Sequence, residues 1–376
     1  MYIKKDGFIF HPYIDNAIIA EDNRIGDIVT YINQNSISHI VISGAFYKLT
    51  DLNFIADCHS ISEVTISSNS ITDCTGLYEA VNLIKLTVPD SFPDIDMSNL
   101  KSLQEFAGCI NILQNISNCT SLKKLYTHGN FPGQNLYCIN SFANLEELRI
   151  THSNIASLLG IAELKNLISL KLYYLKNLSD ISQLIYISDT TREIEFENCP
   201  QLDGYDVLGN LSNIKKLCTI KCSSIPTLSF INGMTELKMF DFYGTNIADG
   251  DLTPCLSLDF VCFNNKKHHS HTLKELNPEL VIRQKQSENV PVKTGILNNE
   301  EIEPELFVSV YIVNKTNEII CECIDNRGLN TVNSYYSYLE QKGLFISKNG
   351  GVLPDYIAKN NSFINALKKT LYFKIT

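Results

Sequence analysis

Residues 145–172 read LEELRITHSNIASLLGIAELKNLISLKL, and they contain two consecutive copies of the pattern on which the fold is built. The pattern LxxLxI occurs in it from Leu145 and LxxLxL from Leu167, with a polar turn and a second apolar run between the two copies. A short strand, a turn and a returning segment form one coil that cannot bury its own apolar edge, so such coils stack on one another. The stretch therefore predicts a repeat protein.

The same spacing, or a close apolar equivalent, recurs every 19 to 24 residues along most of the chain. Eleven units begin at Ile37, Ile61, Leu83, Leu103, Leu122, Leu145, Leu167, Thr191, Ile214, Leu237 and Leu258. The ninth position of a unit is often a small polar residue or a cysteine, as at Ser153 and Cys199. Such side chains can bond main-chain groups of the turn that would otherwise be unpaired inside the stack.

Residues 37 to 275 resemble the leucine-rich-repeat family, and their short repeats look most like its bacterial internalin-like or phosphatase-regulator-like members. The resemblance implies an α/β solenoid with a parallel β-sheet on its concave face and loops, 3-10 turns or short helices on its convex face. The closing stretch 244–277 is also similar to the ends of some bacterial leucine-rich-repeat proteins. Some proteins of that kind are thought to act as immunity factors that neutralise a toxin.

The two ends of the chain differ from the repeat. Residues 1–36 contain a helix-compatible stretch, 26–33, and are predicted to cap the solenoid of residues 37–281. Residues 282–304 are polar and read as a linker. Residues 305–376 are predicted to form a small α+β domain. In it the runs LFVSVYIV and EIICECI make a hairpin, and helices follow near 329–342 and 362–370.

Composition and charge limit the function classes. The 376 residues are 44% apolar and carry a formal net charge of -10, which disfavours nucleic acid as a partner. No apolar run is long enough to cross a membrane, and the N-terminal residues do not form a secretion signal, so we expect a cytoplasmic protein without membrane contact. The twelve cysteines are scattered and often fall at core positions, which favours buried free thiols over disulfides.

Candidate binding residues follow from the alternation of side chains along a strand. The apolar anchors of LxxLxL point into the stack, so the third, fifth and seventh positions face the concave side. On these positions we predict partner contacts at Tyr126, His128, Arg149, Lys171, Tyr173, Glu193, Glu195, Glu197, Asp241 and Tyr243. Tyrosine and arginine are favoured as anchors because they carry much of the binding energy at protein interfaces. The three glutamates on one strand predict a negative strip that would select a basic partner. The alternative is that these residues only keep an exposed sheet soluble.

The run KKHHSH places His268, His269 and His271 close together where the solenoid ends. Zinc or copper ligation is one interpretation, but no nearby carboxylate or cysteine supplies a suitable fourth ligand. We therefore expect these histidines to cap the last coil, and we predict no metal and no cofactor.

No nucleophile elbow, phosphate loop or HExxH helix occurs, so we expect a non-catalytic protein. The function predicted is binding of a protein partner on the concave sheet, with toxin neutralisation as its most concrete form. Two alternatives remain open. One is a cell-surface or structural repeat protein. The other is an enzyme whose site lies in the C-terminal domain, around residues such as Cys323, Tyr335, Tyr336 and Glu340.

Overall fold

The computed structural model describes residues 3–12 and 14–277 in full, together with the backbone of four strands within residues 296–325. The chain forms two compact units, residues 1–273 and 274–376. The strands of the first unit are β1 (Ile3–Lys5), β2 (Phe8–Phe10), β3 (Ala17–Ile19), β4 (His39–Ile42), β5 (Glu63–Ile66), β6 (Lys85–Thr87), β7 (Ile95–Asp96), β8 (Glu105–Cys109), β9 (Leu113–Gln114), β10 (Lys124–Gly129), β11 (Glu147–Ser153), β12 (Ser169–Tyr173), β13 (Glu193–Glu197), β14 (Lys216–Ile220), β15 (Met239–Asp241) and β16 (Phe260–Cys262). The α-helices are α1 (Ile25–Asn35) and α2 (Leu273–Leu276).

Fourteen of these strands form one sheet, in the order β1-β2-β3-β4-β5-β6-β8-β10-β11-β12-β13-β14-β15-β16. From β3 onward every neighbouring pair is parallel, and the repeat strands pair in register, as Leu148 does with Leu170. The eleven strands from β4 that belong to this sheet correspond one to one to the eleven predicted units. The repeat and its register are thereby confirmed.

The apolar anchors of the repeat form the core, as predicted. Leu148, Leu170 and Phe240 are completely buried, and each lies on a different coil. Because the coils are stacked in register, each anchor packs against its equivalents in the coils before and after it. The core is a continuous column along the solenoid.

Each coil returns from one strand to the next through 3-10 turns on the far side of the core. These turns are Asn53–Asp57, Thr75–Glu79, Met97–Asn99, Ile110–Ile112, Ile116–Asn118, Pro132–Gln134, Tyr137–Ile139, Ile161–Glu163, Ser182–Ile187, Tyr205–Asn210, Ser229–Gly233 and Thr253–Ser257. A carboxylate often precedes the turn and accepts a hydrogen bond from the backbone two residues on. The Asp180 carboxylate accepts from the Ser182 amide at 2.9 Å, and Asp251 accepts from Thr253 at 2.9 Å. Hydrogen bonds from the hydroxyls of Ser182 and Thr253, followed by those from their amides, lower the pKa of the Asp180 and Asp251 carboxyl groups. The amide bonds also satisfy donors that a short helix leaves unpaired.

A second polar series joins each coil to the preceding one. The residue just before the first anchor is often asparagine, and the Asn166 side-chain amide donates to the Ala143 carbonyl at 2.9 Å. Asn144 donates in the same way to the Thr120 carbonyl at 2.8 Å. This asparagine position was not predicted, although the Asn-Leu pair recurs in the sequence.

The N-terminal residues add a cap made of strands as well as a helix. Strands β1, β2 and β3 pair antiparallel, and β3 then pairs parallel with β4 after the crossover through α1. Ile28 and Ile32, one turn apart on α1, are completely buried. The Tyr31 ring packs at 4.3 Å from that of Phe8, and its hydroxyl donates to the Asp6 carboxylate at 2.8 Å. The cap therefore covers the edge that β4 would expose.

In the second unit the structure describes four strands, β17 (Ile296–Leu297), β18 (Glu300–Glu301), β19 (Leu306–Val313) and β20 (Glu318–Asp325). Strand β17 pairs antiparallel with β18, inside the segment predicted as a linker, and β19 pairs antiparallel with β20. The last two are the two runs predicted as a hairpin. The predicted helices near 329–342 and 362–370, and the predicted boundary at 281, lie outside the described residues.

Candidate protein-binding surface

The in-register sheet arranges the side chains that point away from the leucine-type core into three rows that run across the coils. We call them the first, central and last rows, for the third, fifth and seventh positions of each unit. The first row contains His39, Glu63, Lys85, Glu105, Lys124, Glu147, Ser169, Glu193, Lys216, Met239 and Phe260. From its third member the central row contains Thr87, Ala107, Tyr126, Arg149, Lys171, Glu195, Cys218, Asp241 and Cys262. The last row includes Cys109, His128, Thr151, Tyr173, Glu197 and Ile220.

Charges of opposite sign alternate along the first row. The Lys85 ammonium lies 2.8 Å from the Glu105 carboxylate, and Lys124 lies 3.9 Å from the same group. Adjacent strands are only about 4.8 Å apart, so like charges at equivalent positions would repel, whereas opposite charges attract. The alternation of signs therefore makes a continuous row of charged side chains compatible with an in-register parallel sheet.

The densest part of this pairing lies on β12, β13 and β14. The Lys216 ammonium lies 2.8 Å from Glu193 and 2.6 Å from Glu195, and the Lys171 ammonium lies 3.4 Å from Glu193. Burial opposes ionisation of Glu193, but the two lysines outweigh it and lower the pKa of Glu193 to about 2. Tyr173 donates from its hydroxyl to the Glu195 carboxylate. We call Lys171, Tyr173, Glu193, Glu195 and Lys216 the ion-pair cluster.

Two strands earlier, an arginine and a tyrosine are held together on the central row. The Arg149 guanidinium lies 4.8 Å from the centre of the Tyr126 ring, within the range of a cation–π contact. The Tyr126 hydroxyl donates to the Glu147 carboxylate at 3.0 Å. Burial, followed by the charge of Glu147, raises the pKa of the Tyr126 hydroxyl. Both side chains are partly exposed, so this pair presents contact area in a fixed arrangement.

At the other end of the first row, His39 is 6% exposed and bonded on both ring nitrogens. Its Nδ1 lies 3.2 Å from the Glu63 carboxylate, and its Nε2 lies 2.9 Å from the Thr65 hydroxyl. A neutral ring fits this setting, with Nδ1–H donating to the carboxylate and Nε2 accepting from the hydroxyl. Burial, with the charge of Lys85 as a smaller cause, lowers the pKa of His39 to about 4.

The lowered pKa of His39 predicts a pH-dependent stability. Between pH 6.5 and 4 the unfolded chain binds a proton at this site that the folded chain does not, so the free energy of unfolding should fall as the pH drops through that window. The loss due to His39 is expected to be roughly 2–3 kcal/mol. Urea unfolding at a series of pH values should show it in the wild type and not in His39→Gln. The exposed His59 supplies the control, because His59→Gln should keep the wild-type slope.

The predicted contact residues thus fall into groups with different surroundings. Tyr126 and Arg149 form the partly exposed pair, and His128 bonds the Asp90 carboxylate at 2.8 Å. Tyr243, just after β15, is partly exposed. Three others are largely buried, with Lys171 at 9%, Glu195 at 8% and Asp241 at 7% exposure. Burial raises the pKa of Asp241 to about 6.

The predicted negative strip on β13 is largely neutralised. Glu193 and Glu195 both belong to the ion-pair cluster, so their charges are balanced by lysines on the neighbouring strands. Glu197 lies beyond it, where its carboxylate accepts from the Tyr174 hydroxyl at 3.4 Å and burial raises its pKa. The sequence of β13 alone does not show that its glutamates are neutralised, because Lys171 and Lys216 lie on the neighbouring coils.

The histidine run lies against the last coils. The His268 ring Nε2 is 2.9 Å from the Ile247 carbonyl, and the His269 ring packs 5.6 Å from that of Phe263. These contacts agree with the predicted capping role.

Within residues 3–12 and 14–277, no three histidine, cysteine or acidic side chains are grouped to hold a metal ion, and the ten cysteines of that part are free thiols. None of the described helices is long and apolar enough to span a bilayer.

In the described part of the chain, eleven in-register parallel strands, ten of which lead into a turn and a 3-10 return over a column of leucine-type anchors, define a leucine-rich-repeat solenoid. No family model matches the sequence, and no curated protein matches it either. Solved structures that are similar include two internalins of Listeria monocytogenes. InlF is 15% identical over 64% of this chain and 67% of that chain, with a TM-score of 0.41. InlC2 is 18% identical over 52% of this chain and 90% of that chain, with a TM-score of 0.41. A TDR receptor is 16% identical over 67% of this chain and 46% of that chain, with a TM-score of 0.47.

Proposed function

We propose that this solenoid is a non-catalytic binding protein that holds a protein partner on its concave sheet, centred on Tyr126 and Arg149. The observation that carries the proposal is the fixed, partly exposed contact between these two side chains. Tyrosine and arginine are the residue types most enriched among the contacts that dominate binding energy. Because the pair is already ordered in the free chain, less side-chain entropy is lost when a partner binds.

The size of the surface also suits a protein. Eleven strands spaced about 4.8 Å apart make a sheet on the order of 50 Å long, which exceeds the span of a small-molecule site. Repeat solenoids commonly use such extended concave surfaces for binding. The paired charges of the first row add specificity rather than net charge, because a partner must present groups that match the alternating signs.

The concrete form that we propose is neutralisation of a basic protein toxin in the cytoplasm. The formal net charge of -10 would attract a basic partner at long range and speed its association. Since the charges of the ion-pair cluster are balanced internally, this attraction would arise from the rest of the surface. Close contacts on Tyr126 and Arg149 would then hold the complex.

Changing Arg149 to alanine is expected to weaken partner binding at least 10-fold, because the planar cation above Tyr126 is lost. The partner would be captured from the native organism with the tagged full chain, identified, purified and titrated against the wild type and the variant. The matched control is Lys165→Ala, since Lys165 is exposed beside a 3-10 turn on the far side of the coil. Equal affinities for wild type and Arg149→Ala would contradict the placement of the site.

The toxin hypothesis has its own test. Co-expression of this chain with the captured partner should protect cells that the partner alone kills, and Arg149→Ala should reduce the protection. A partner that binds but is harmless on its own would leave protein binding standing and rule out neutralisation. Cell fractionation would decide whether the chain is cytoplasmic.

A further inference from the structure

The eighth position of six successive units has left-handed backbone geometry. The φ angles are 100° at Gly129, 50° at His152, 57° at Tyr174, 52° at Asn198, 50° at Lys221 and 77° at Gly244. This position directly follows the last row, at the carboxyl ends of the strands. Glycine adopts such angles at no steric cost and asparagine tolerates them, whereas other residues with a Cβ are destabilised by them.

The first and last of these six units use glycine, so glycine is compatible with the turn. His152, Tyr174 and Lys221 nevertheless carry full side chains in the same backbone geometry, and the side chains of His152 and Tyr174 contact each other. Residues held in unfavourable φ regions tend to occur where function requires their side chains. The side chains of His152 and Tyr174 are therefore candidates for a role at the surface.

The two rings form a parallel stack. Their centroids are 4.6 Å apart and their planes differ by 8°. The His152 ring nitrogen Nδ1 lies 2.8 Å from the Thr151 hydroxyl, and the Tyr174 hydroxyl lies 3.4 Å from the Glu197 carboxylate. Both rings are thus held in place by groups of the last row.

The stack is open on one side. His152 is exposed, and the unit before it has Gly129 at the same position, which contributes no side chain beside the outer face of the imidazole. A flat group of a partner could extend the stack there. The Glu197 carboxylate lies at the other end of the Tyr174 side chain, where the charge of Lys221 also acts on it. The whole chain carries a net charge of -10.

We infer that the His152–Tyr174 stack is a contact site for an arginine of the protein partner, with the guanidinium lying on the outer face of His152. This inference rests on the proposed function, which it extends from the concave rows to the carboxyl ends of β11 and β12. Arginine fits because its guanidinium is planar, stacks on aromatic rings and is attracted by the negative surface. Lysine carries the same charge but has no planar group that could stack on the imidazole ring.

The test uses the full-length chain and a phage-displayed library of random 12-residue peptides as the probe. Peptides selected on the wild type should contain arginine, and their affinity should fall at least 10-fold for His152→Gly and for Tyr174→Asn. Replacing the peptide arginine with lysine should cause a similar loss. The matched control is Gln134→Gly, because Gln134 is also exposed, has a φ of 55° and lies in the turn Pro132–Gln134. Its affinity for the peptides should equal that of the wild type.

Thermal unfolding distinguishes a role of His152 in partner binding from a role in the stability of the fold. If His152 is retained for binding, His152→Gly should melt no lower than the wild type, as Gln134→Gly should. A melting temperature several degrees lower for His152→Gly would overturn the inference, because the side chain would then be needed for folding. The inference would also be overturned if none of the selected peptides depended on His152 for binding, or if the arginine and lysine peptides bound equally well.

The selected peptides also distinguish this inference from the proposed function. Loss of affinity in His152→Gly but not in Arg149→Ala would support the stack and count against the site centred on Arg149. The reverse result would leave the concave site standing and reject the stack.

Discussion

Changing Leu170 to alanine is expected to lower the free energy of unfolding by about 3 kcal/mol. Leu170 is completely buried at the centre of the stack, between Leu148 of one coil and Ile194 of the next. Removing its three outer carbons loses apolar burial and leaves a cavity, because the coils on both sides are held in register by the sheet and cannot close the gap. Chemical denaturation, followed by circular dichroism, would measure the change.

The matched control lies two residues away. Ile168→Ala removes an apolar side chain of the same size from the same coil, but Ile168 is 47% exposed. Its effect should stay within about 0.5 kcal/mol. Equal destabilisation by the two substitutions would mean that position within the coil does not decide burial, and the repeat assignment would fail.

The second large effect is expected for Lys216→Met, which should destabilise the protein by roughly 3 kcal/mol at pH 7. The Lys216 ammonium lies within 2.8 Å of both Glu193 and Glu195. Its removal leaves two carboxylates close together on adjacent rows, with Lys171 as the remaining cation near Glu193. Methionine keeps the length of the stem, so the loss should report the charge rather than the packing. Urea unfolding at pH 7 would measure it.

The effect of Lys216→Met should depend on pH in a defined direction. In the wild type the pKa of Glu193 is lowered to about 2. Its stabilisation is therefore fully present above the ordinary value of about 4.5 and is lost as the pH falls towards 2. In the variant the unpaired carboxylates should take up protons at a higher pH, so the difference between the two proteins should shrink between pH 7 and pH 3. Repeating the urea titrations at low pH would show this.

Lys124→Met is the control for charge loss on the first row. The Lys124 ammonium lies 3.9 Å from Glu105, and its side chain is 45% exposed. An exposed pair of this kind contributes little, so the change should be under about 0.5 kcal/mol. A destabilisation by Lys216→Met no larger than that of Lys124→Met would show that the ion-pair cluster is not important for stability.

The repeat was readable because one spacing fixes two properties together. The spacing within a unit specifies that the side chains of Leu145 and Leu148 point inward. The recurrence of the unit along the chain specifies that equivalent residues stack on one another. Even units with substituted anchors, such as the one from Thr191, were placed correctly, because the spacing to their neighbours held.

The N-terminal cap was only partly predicted. Its helix α1 was expected, but strands β1 to β3 were not, since short strands outside the repeat carry no periodic signal.

The candidate surface was less predictable than the fold. The positions on the outward face of the strands followed from alternation, and the structure places Tyr126 and Arg149 there side by side. The pairing of Glu193 with Lys216 and Lys171 was missed because each strand was read alone. The left-handed geometry at His152 and Tyr174 was missed as well, because φ at a non-glycine residue leaves no mark in the amino-acid sequence.

The stacked coil and its register follow from the amino-acid sequence, because apolar spacing dictates which edge must be buried and coils of this kind can bury it only against each other. Which of the outward side chains remain accessible to a partner depends on contacts between coils, and these are seen only in the three-dimensional structure. Lys171 and Tyr126 occupy equivalent positions of their units, yet one is largely buried in an ion-pair cluster and the other is partly exposed beneath Arg149. That difference arises from the side chains on neighbouring coils, which lie some twenty residues away along the chain and about 4.8 Å away across the sheet.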